Sequence, residues 1–412
     1  MLRRIVLALM VGLALLMASA PAAYAHGERA QEAFLKMRTV GWVNVQFSGG
    51  TVKQGESGED EIFIKQGEEI SVTGITTLLN AWPGTLAGGD PRTGYINLIA
   101  PGPVVTLRER TINGVSAPDR IEVEKGGIYQ FEMTIAGRQP GRWHVHPSFS
   151  VKGAGTLLGP GQWINIEKVD GYTNPVTLAS GEVINLENYG LGFVWIFSLL
   201  TFIIGVGWML HWTLLHRTVQ NLAVTLQIPL NTDGMQYGLI TKKDHRISNW
   251  FLLVTAVLVG AYFAYQAAAF PDKIPQQVIE FAPPVLAQPE TIPEAVGIEA
   301  SFDASSTTVT LQAEVTNNGT STVELAQFTS STLTWVNPDV GQAELAQGTM
   351  TVEPSGSISA GQTATLTLIL PDERWVLDQL IPTAESQLEI VGLLVFDDGT
   401  FVEVHAPLTT EF

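Results

Sequence analysis

The chain has no cysteine in its 412 residues. Disulfides, thiolate zinc sites, iron–sulfur clusters and blue-copper centres are therefore excluded, because each needs a cysteine sulfur. Any transition metal must be held by histidine, carboxylate or backbone. Positive charge is also scarce: 22 Lys and Arg stand against 40 Asp and Glu, a net charge of −18. Residues 281–412 carry a single basic side chain, Arg374, against eighteen acidic ones. That balance argues against nucleic acid and against adhesion to anionic lipid; its plain reading is a solvated acidic surface. There is no nucleophile elbow, no H-E-x-x-H and no glycine-rich phosphate loop, so a hydrolase finds no support.

What the chain has in quantity is apolar sequence. Residues 1–25 read as a cleaved secretory leader. Arg3 and Arg4 form its charged start, Ile5 to Met17 its apolar stretch, and Ala23-Tyr24-Ala25 its small-residue exit. That apolar stretch falls short of the roughly 20 residues needed to cross a bilayer, which favours cleavage over an uncleaved anchor. Residues 189–210 and 250–270 are two longer runs without charge, flanked by Trp208, Trp212 and Trp250 where interfacial belts sit. They read as two membrane spans rather than a pair of buried core helices. The loop between them, residues 211–249, holds Arg217, Lys242, Lys243 and Arg246 against Asp233 and Asp244. A basic loop is expected on the cytoplasmic side, which puts both flanking regions outside the membrane.

Those flanking regions, residues 26–188 and 297–412, share a β pattern. Turn signals such as Gly88-Gly89-Asp90-Pro91 and Gly159-Pro160-Gly161 separate short alternating runs, Tyr129 to Ile135 among them. In the second region Thr308 to Val315 and Thr363 to Leu370 alternate in the same way, with Asn317-Asn318-Gly319 and Asp397-Asp398-Gly399 as turns. The expectation is a mainly β protein, two sandwiches joined by a two-helix transmembrane hairpin. Residues 271–296 are proline-rich and read as an extended linker. Residues 26–38 suggest a short helix.

Histidines carry the chemistry. Cleavage after Ala25 leaves His26 as a free N-terminus, with an α-amine and a ring nitrogen able to chelate one metal. His144 and His146 are two apart, so on a strand both rings point to one face. Such a pair is common by chance, but few unrelated constraints produce all three. Three histidines of this kind suit copper better than zinc or magnesium. Glu28 could orient a ring from outside the ligand set, or be simply solvated. His211 and His216 read as interfacial aromatics, and His245 and His405 as structural or solvent-facing.

The run from His26-Gly27-Glu28-Arg29 to Thr39-Val40 resembles the mature N-terminus of the B subunits of the copper membrane monooxygenases, the particulate methane, ammonia and short-alkane monooxygenases. Pro140-Gly141-Arg142-Trp143-His144-Val145-His146, Gly159-Pro160-Gly161-Gln162-Trp163-Ile164, Asn174-Pro175-Val176-Thr177-Leu178, Val315-Thr316-Asn317-Asn318-Gly319 and Ala406-Pro407-Leu408 extend the match. The N-terminal and H-x-H segments are its specific part. The resemblance implies cupredoxin-like folds for both outer domains. It also implies a copper site resembling a histidine brace at His26, His144 and His146, and assembly with the A and C subunits of such enzymes as a trimer of heterotrimers. The implied reaction inserts one oxygen atom of O₂ into a C–H or N–H bond of a small substrate, at copper here or in a partner subunit. Some methane-oxidising members carry further copper-binding histidines; the corresponding places here look like Gly41, before Trp42, and a position near Thr77, before Trp82-Pro83. A second copper site is therefore expected to be missing. Two other readings remain: a non-catalytic copper-binding scaffold within such a complex, and a membrane-anchored copper-binding protein acting alone. Eight methionines are few for a carrier with Met-rich exchangeable sites.

Overall fold

A computed structural model describes residues 37–55, 60–84, 86, 89–117, 120–178, 180–211, 241–270, 281–286, 292–341, 345, 348–377, 381 and 388–411. The leader, His26, Glu28, His216, all but the last two residues of the short helix expected over 26–38, most of the loop between the spans and the first ten residues of the linker lie outside these; Met37 and Arg38 are helical. The described residues fall into two compact units, one formed by the N-terminal chain to Tyr172 together with Val278–Phe412, the other by Thr173–Gln277.

In the first unit, the N-terminal β region is two facing sheets. One runs in space Val40–Ser48, Glu69–Leu78, Ile128–Gly137, Val105–Ile112, Val115–Ser116. The other runs Thr51–Gln54, Asp60–Lys65, Gln162–Glu167, Gly141–Val151, Thr93–Ile99, Ile121–Glu122, with Gly155–Leu158 also pairing Gly141–Val151. Alternating residues of the two sheets meet in one core, Val72, Phe131 and Met133 from the first and Ile62, Val145, Phe149 and Ile164 from the second. This is the burial that period-two patterning drives. Trp42, 1 % exposed, meets Phe131 edge-to-face at 5.8 Å in that core.

The C-terminal β region is a single nine-stranded sheet among the described residues, from Gly348–Thr349 at one edge to Thr351–Glu353 at the other. It curls until its two ends share a core. Trp335, from near one edge, stacks on Trp375 at 4.7 Å, and its Nε1–H donates to Pro371 O at 3.1 Å near the other edge. The molecule is thus mainly β with two β domains and two apolar helices.

The two β regions are joined side by side. Val43 and Leu79 of the first pack with Val391, Leu393 and Val395 of the second. Beside this seam the Glu403 carboxylate accepts from Asn80 N (2.7 Å), Asn80 Nδ2 (3.0 Å) and Ala81 N (2.9 Å). Part of the proline-rich stretch is stitched down as well. Phe281 bridges to Ile121, Pro284 O accepts from Asn113 Nδ2 at 2.7 Å, and a strand begins at Glu294.

The second unit holds a small hairpin, Pro175–Thr177 with Val183–Asn185, and two helices, Leu191–Leu210 and Lys242–Ala269. The second helix starts before its uncharged run because Thr241 and Asp244 form a capping box that satisfies the first turn. The helices run antiparallel: Phe193 stacks on Tyr262 and Tyr265, and Trp208 meets Phe251 near the other end. Both are long and apolar enough to cross a membrane, and their outer faces are bare, Trp195 being 73 % and Leu252 70 % exposed. Such surface is unfavourable in water and at home in lipid or against other helices.

Candidate metal centre

His144 and His146 lie on the strand Gly141–Val151 with both rings on one face, centroids 4.3 Å apart. His144 sits opposite Trp163 of the strand Gln162–Glu167, and Val145 opposite Gln162. From Ser148 onward the same edge pairs instead with Gly155–Leu158. Between these two ladders His146 and Pro147 face the three-residue turn Gly159-Pro160-Gly161, which folds back through a Gly159 N–H to Pro147 O bond of 2.8 Å. The ring of His146 fills that turn. A Cβ on Gly161 would clash with the imidazole Cε1, Nδ1 and Nε2, and one on Gly159 would come within 2.9 Å of Pro147 and the Trp42 indole. Glycine is required at both places by lack of room.

The turn also sets the proton. His146 Nδ1 lies 2.8 Å from Gly159 O. A carbonyl only accepts, so Nδ1 carries the hydrogen and Nε2 turns its lone pair outward. That Nε2 is 3.1 Å from His144 Nδ1. Two nitrogens each about 2.0 Å from one metal and separated by this distance subtend about 100° at it. The pair therefore fits a shared metal ion, once the His144 proton sits on its other nitrogen. A second ring nitrogen pinned to a carbonyl is the usual support of a ligating histidine, and imidazole suits copper, zinc, iron or nickel. His146 is 7 % exposed and His144 half-buried.

The indole of Trp163 stacks on His144 at 4.6 Å, 20° from parallel. The Arg142 guanidinium lies over the Trp163 ring at 3.6 Å and donates from Nε (2.9 Å) and Nη2 (2.6 Å) to Glu61 Oε1. Asn165 Nδ2 donates to the other oxygen of Glu61. The bond from Arg142 holds the Glu61 carboxyl below its ordinary range; burial opposes this and Asn165 adds to it.

Among the described residues no group of three or more His, Asp or Glu converges. His211 is buried near Phe251 in the helical unit, and His245 and His405 are exposed.

A family model for the monooxygenase B-subunit protein matches residues 27–412. The chain belongs to the monooxygenase B-subunit family. It is 28 % identical over 410 residues to the particulate methane monooxygenase alpha subunit of Methylococcus capsulatus strain Bath, covering 95 % of this chain and 94 % of that one. Among solved structures, the cupredoxin domain of AmoB from Nitrosocaldus yellowstonii aligns with 34 % of this chain and 99 % of its own, at 15 % identity and a TM-score of 0.24. A protein of unknown function from Porphyromonas gingivalis aligns with 89 % of this chain at 9 % identity and a TM-score of 0.18.

This monooxygenase chain uses its family segments physically. Pro140 to His146 supplies both rings and Arg142, while Gly159 to Ile164 supplies the carbonyl, the void for His146 and the stacking indole. The two rings were legible in the sequence; the parts played by Arg142, Gly159, Gly161, Trp163 and Glu61 were not, and Glu61, one of two adjacent acids opening the strand Asp60–Lys65, carries no local mark of burial. Gly41 and Thr77 prove to be direct cross-strand partners. In this member of the family the space at Gly41 is closed: a Cβ there would collide with Leu393 Cδ1 from the C-terminal sheet and lie 3.2 Å from Thr77 Cγ2.

Proposed function

We propose that this chain is the copper-holding B subunit of a membrane-bound monooxygenase complex that uses O₂ to hydroxylate methane, ammonia or a short alkane. His26, through its α-amine and ring, would join His144 and His146 as the ligands. The observation that carries this reading is the 3.1 Å approach of His144 Nδ1 to His146 Nε2, with the remaining nitrogen of His146 tied to Gly159 O. Copper bound there would supply one-electron redox chemistry and affinity for O₂ in its reduced state. The chain's own contribution is to hold two imidazoles at fixed separation, keep the His146 proton on Nδ1 and limit water around a half-buried face. The A and C subunits of the complex would cover the bare outer faces of the two helices within a trimer of heterotrimers. Both β domains would lie outside the cytoplasmic membrane after the leader is removed at Ala25, which is also what frees the His26 amine.

The test is copper EPR on the purified complex, beside a form carrying one extra residue ahead of His26. A nitrogen-rich Cu(II) signal that the extension alters supports the reading; identical spectra, or no copper, sink it. His144→Ala with His146→Ala separates catalysis from scaffolding. Loss of turnover in an intact complex marks a site essential to the reaction, whereas dissociation of the complex with turnover retained in what remains marks a scaffold.

A further inference from the structure

The histidine pair has unequal support. His146 is locked by a backbone carbonyl, and its turn leaves it no other place. His144 is only half-buried and sits one residue before the end of the ladder with Gln162–Glu167. What lies against it is a stack that ends on a buried carboxylate. The order is Glu61, Arg142, Trp163, His144. Glu61 is 2 % exposed on a strand that runs parallel to Gln162–Glu167. Arg142 is gripped there by two donated bonds and places its guanidinium carbon over the indole, 3.6 Å from the ring centroid. The indole stacks on the imidazole at 4.6 Å, 20° from parallel. Each planar group bears on the tilt of the next, and Glu61 is the buried end of the row.

We propose that Glu61, Arg142 and Trp163 form a positioning stack that sets the ring plane of His144, and so decides whether its Nδ1 meets His146 Nε2 at a metal-binding separation. Within the stack Glu61 supplies the fixed end, Arg142 the planar joint and Trp163 the surface on which the imidazole rests. None of the three touches a metal or substrate. The inference rests on the copper reading for its consequence, but the orientation of His144 is a property of the metal-free protein and is testable there. Planarity is the essential demand. Lysine keeps the charge at 142 but loses the stacked fork, and leucine at 163 keeps bulk but offers no flat face, whereas phenylalanine retains one.

The experiment uses the intact complex carrying Trp163→Leu, Trp163→Phe, Arg142→Lys or Glu61→Gln. In chelator-stripped complex, carbethoxylation of His144 by diethylpyrocarbonate is followed by peptide mass spectrometry. In copper-loaded complex, affinity and the parallel Cu(II) EPR hyperfine splitting are read. Trp163→Leu and Arg142→Lys should each label His144 several-fold faster, bind copper about 10–100-fold more weakly and shift the splitting. Glu61→Gln should do so more mildly, and Trp163→Phe should restore most of the native behaviour. Arg142→Lys is the decisive variant, since Trp163 remains there to shield the ring and faster labelling then reports reorientation. Unchanged labelling in Arg142→Lys overturns the stack whether or not copper binds. Faster labelling with native affinity and spectrum overturns its role in metal binding. If His146→Ala leaves copper uptake untouched, the copper reading itself has failed, and the labelling arm still judges the stack.

Discussion

Arg142→Met would leave Glu61 as a carboxylate 2 % exposed and bonded only to Asn165. Removing one partner of a fully buried ion pair costs about 3–5 kcal/mol. The Arg142 side chain is 34 % exposed, so part of that cost is relieved by solvent, and about 2–3 kcal/mol is expected. For a domain of this size the melting midpoint should fall by about 5–10 °C. The sign of the pH dependence should change too. In the native protein Arg142 depresses the Glu61 pKa, so the pair stabilises above the unfolded value, roughly 4.3, and that stabilisation is lost as pH falls through the folded value. Without Arg142 burial dominates and raises the folded pKa. The variant's deficit is then largest at pH 7 and shrinks on acidification toward pH 5. Adding Glu61→Gln removes the stranded charge, and Glu61→Gln with Arg142→Met together should recover most of the loss. Differential scanning fluorimetry of the detergent-solubilised complex between pH 5 and 8 reads all of this. A single variant within about 0.5 kcal/mol of native, or a double variant less stable than the single, would refute the reasoning.

Gly161→Ala should drive the His146 ring out of its turn. Copper content by plasma mass spectrometry should collapse while the fold loses about 1–3 kcal/mol of stability; retained copper would show that the ring has another seat. Glu403→Ala should strand the amides of Asn80 and Ala81 at a cost of about 1–3 kcal/mol, seen as faster hydrogen exchange confined to residues around 79–81. Exchange rising evenly across the chain would count against a local clamp. Installing histidines at Gly41 and Thr77 should yield no second copper, because Leu393 occupies the space; adding Leu393→Ala should make room, at about 2–5 kcal/mol for the trimmed core. A second equivalent of copper without Leu393→Ala would disprove the packing argument.

The strands and the two helices were legible because they depend on local patterning. Alternation in Tyr129 to Ile135 and the uncharged run from Tyr189 to Leu210 need no distant partner to be read. The H-x-H pair was legible for the same reason, since a spacing of two fixes a common face. The remainder of the site depends on residues far apart in sequence. Gly159 and Gly161 look like turn glycines until His146 is seen inside the turn, and Glu61 meets Arg142 across 81 positions. The helix from Lys242 begins ahead of its apolar run because a capping box, not hydrophobicity, sets that end. The curl that brings Trp335 onto Trp375 and the seam of Leu393 against Val43 are properties of tertiary packing, and no local pattern encodes them.

The seam between the β regions also imposes a schedule on synthesis. Asn80 and Ala81 are made long before Glu403, 323 residues later in the case of Asn80. At roughly 5–20 residues per second, that interval is about 15–65 s. Throughout it Val43 and Leu79 have no covering strand, and once Gln162–Glu167 is made the two sheets around them hold all their own strands. A nascent chain therefore displays an adhesive apolar patch for most of its time on the ribosome. Yield of this protein in a foreign host should be limited less by the stability of its finished fold than by what protects that patch while it waits.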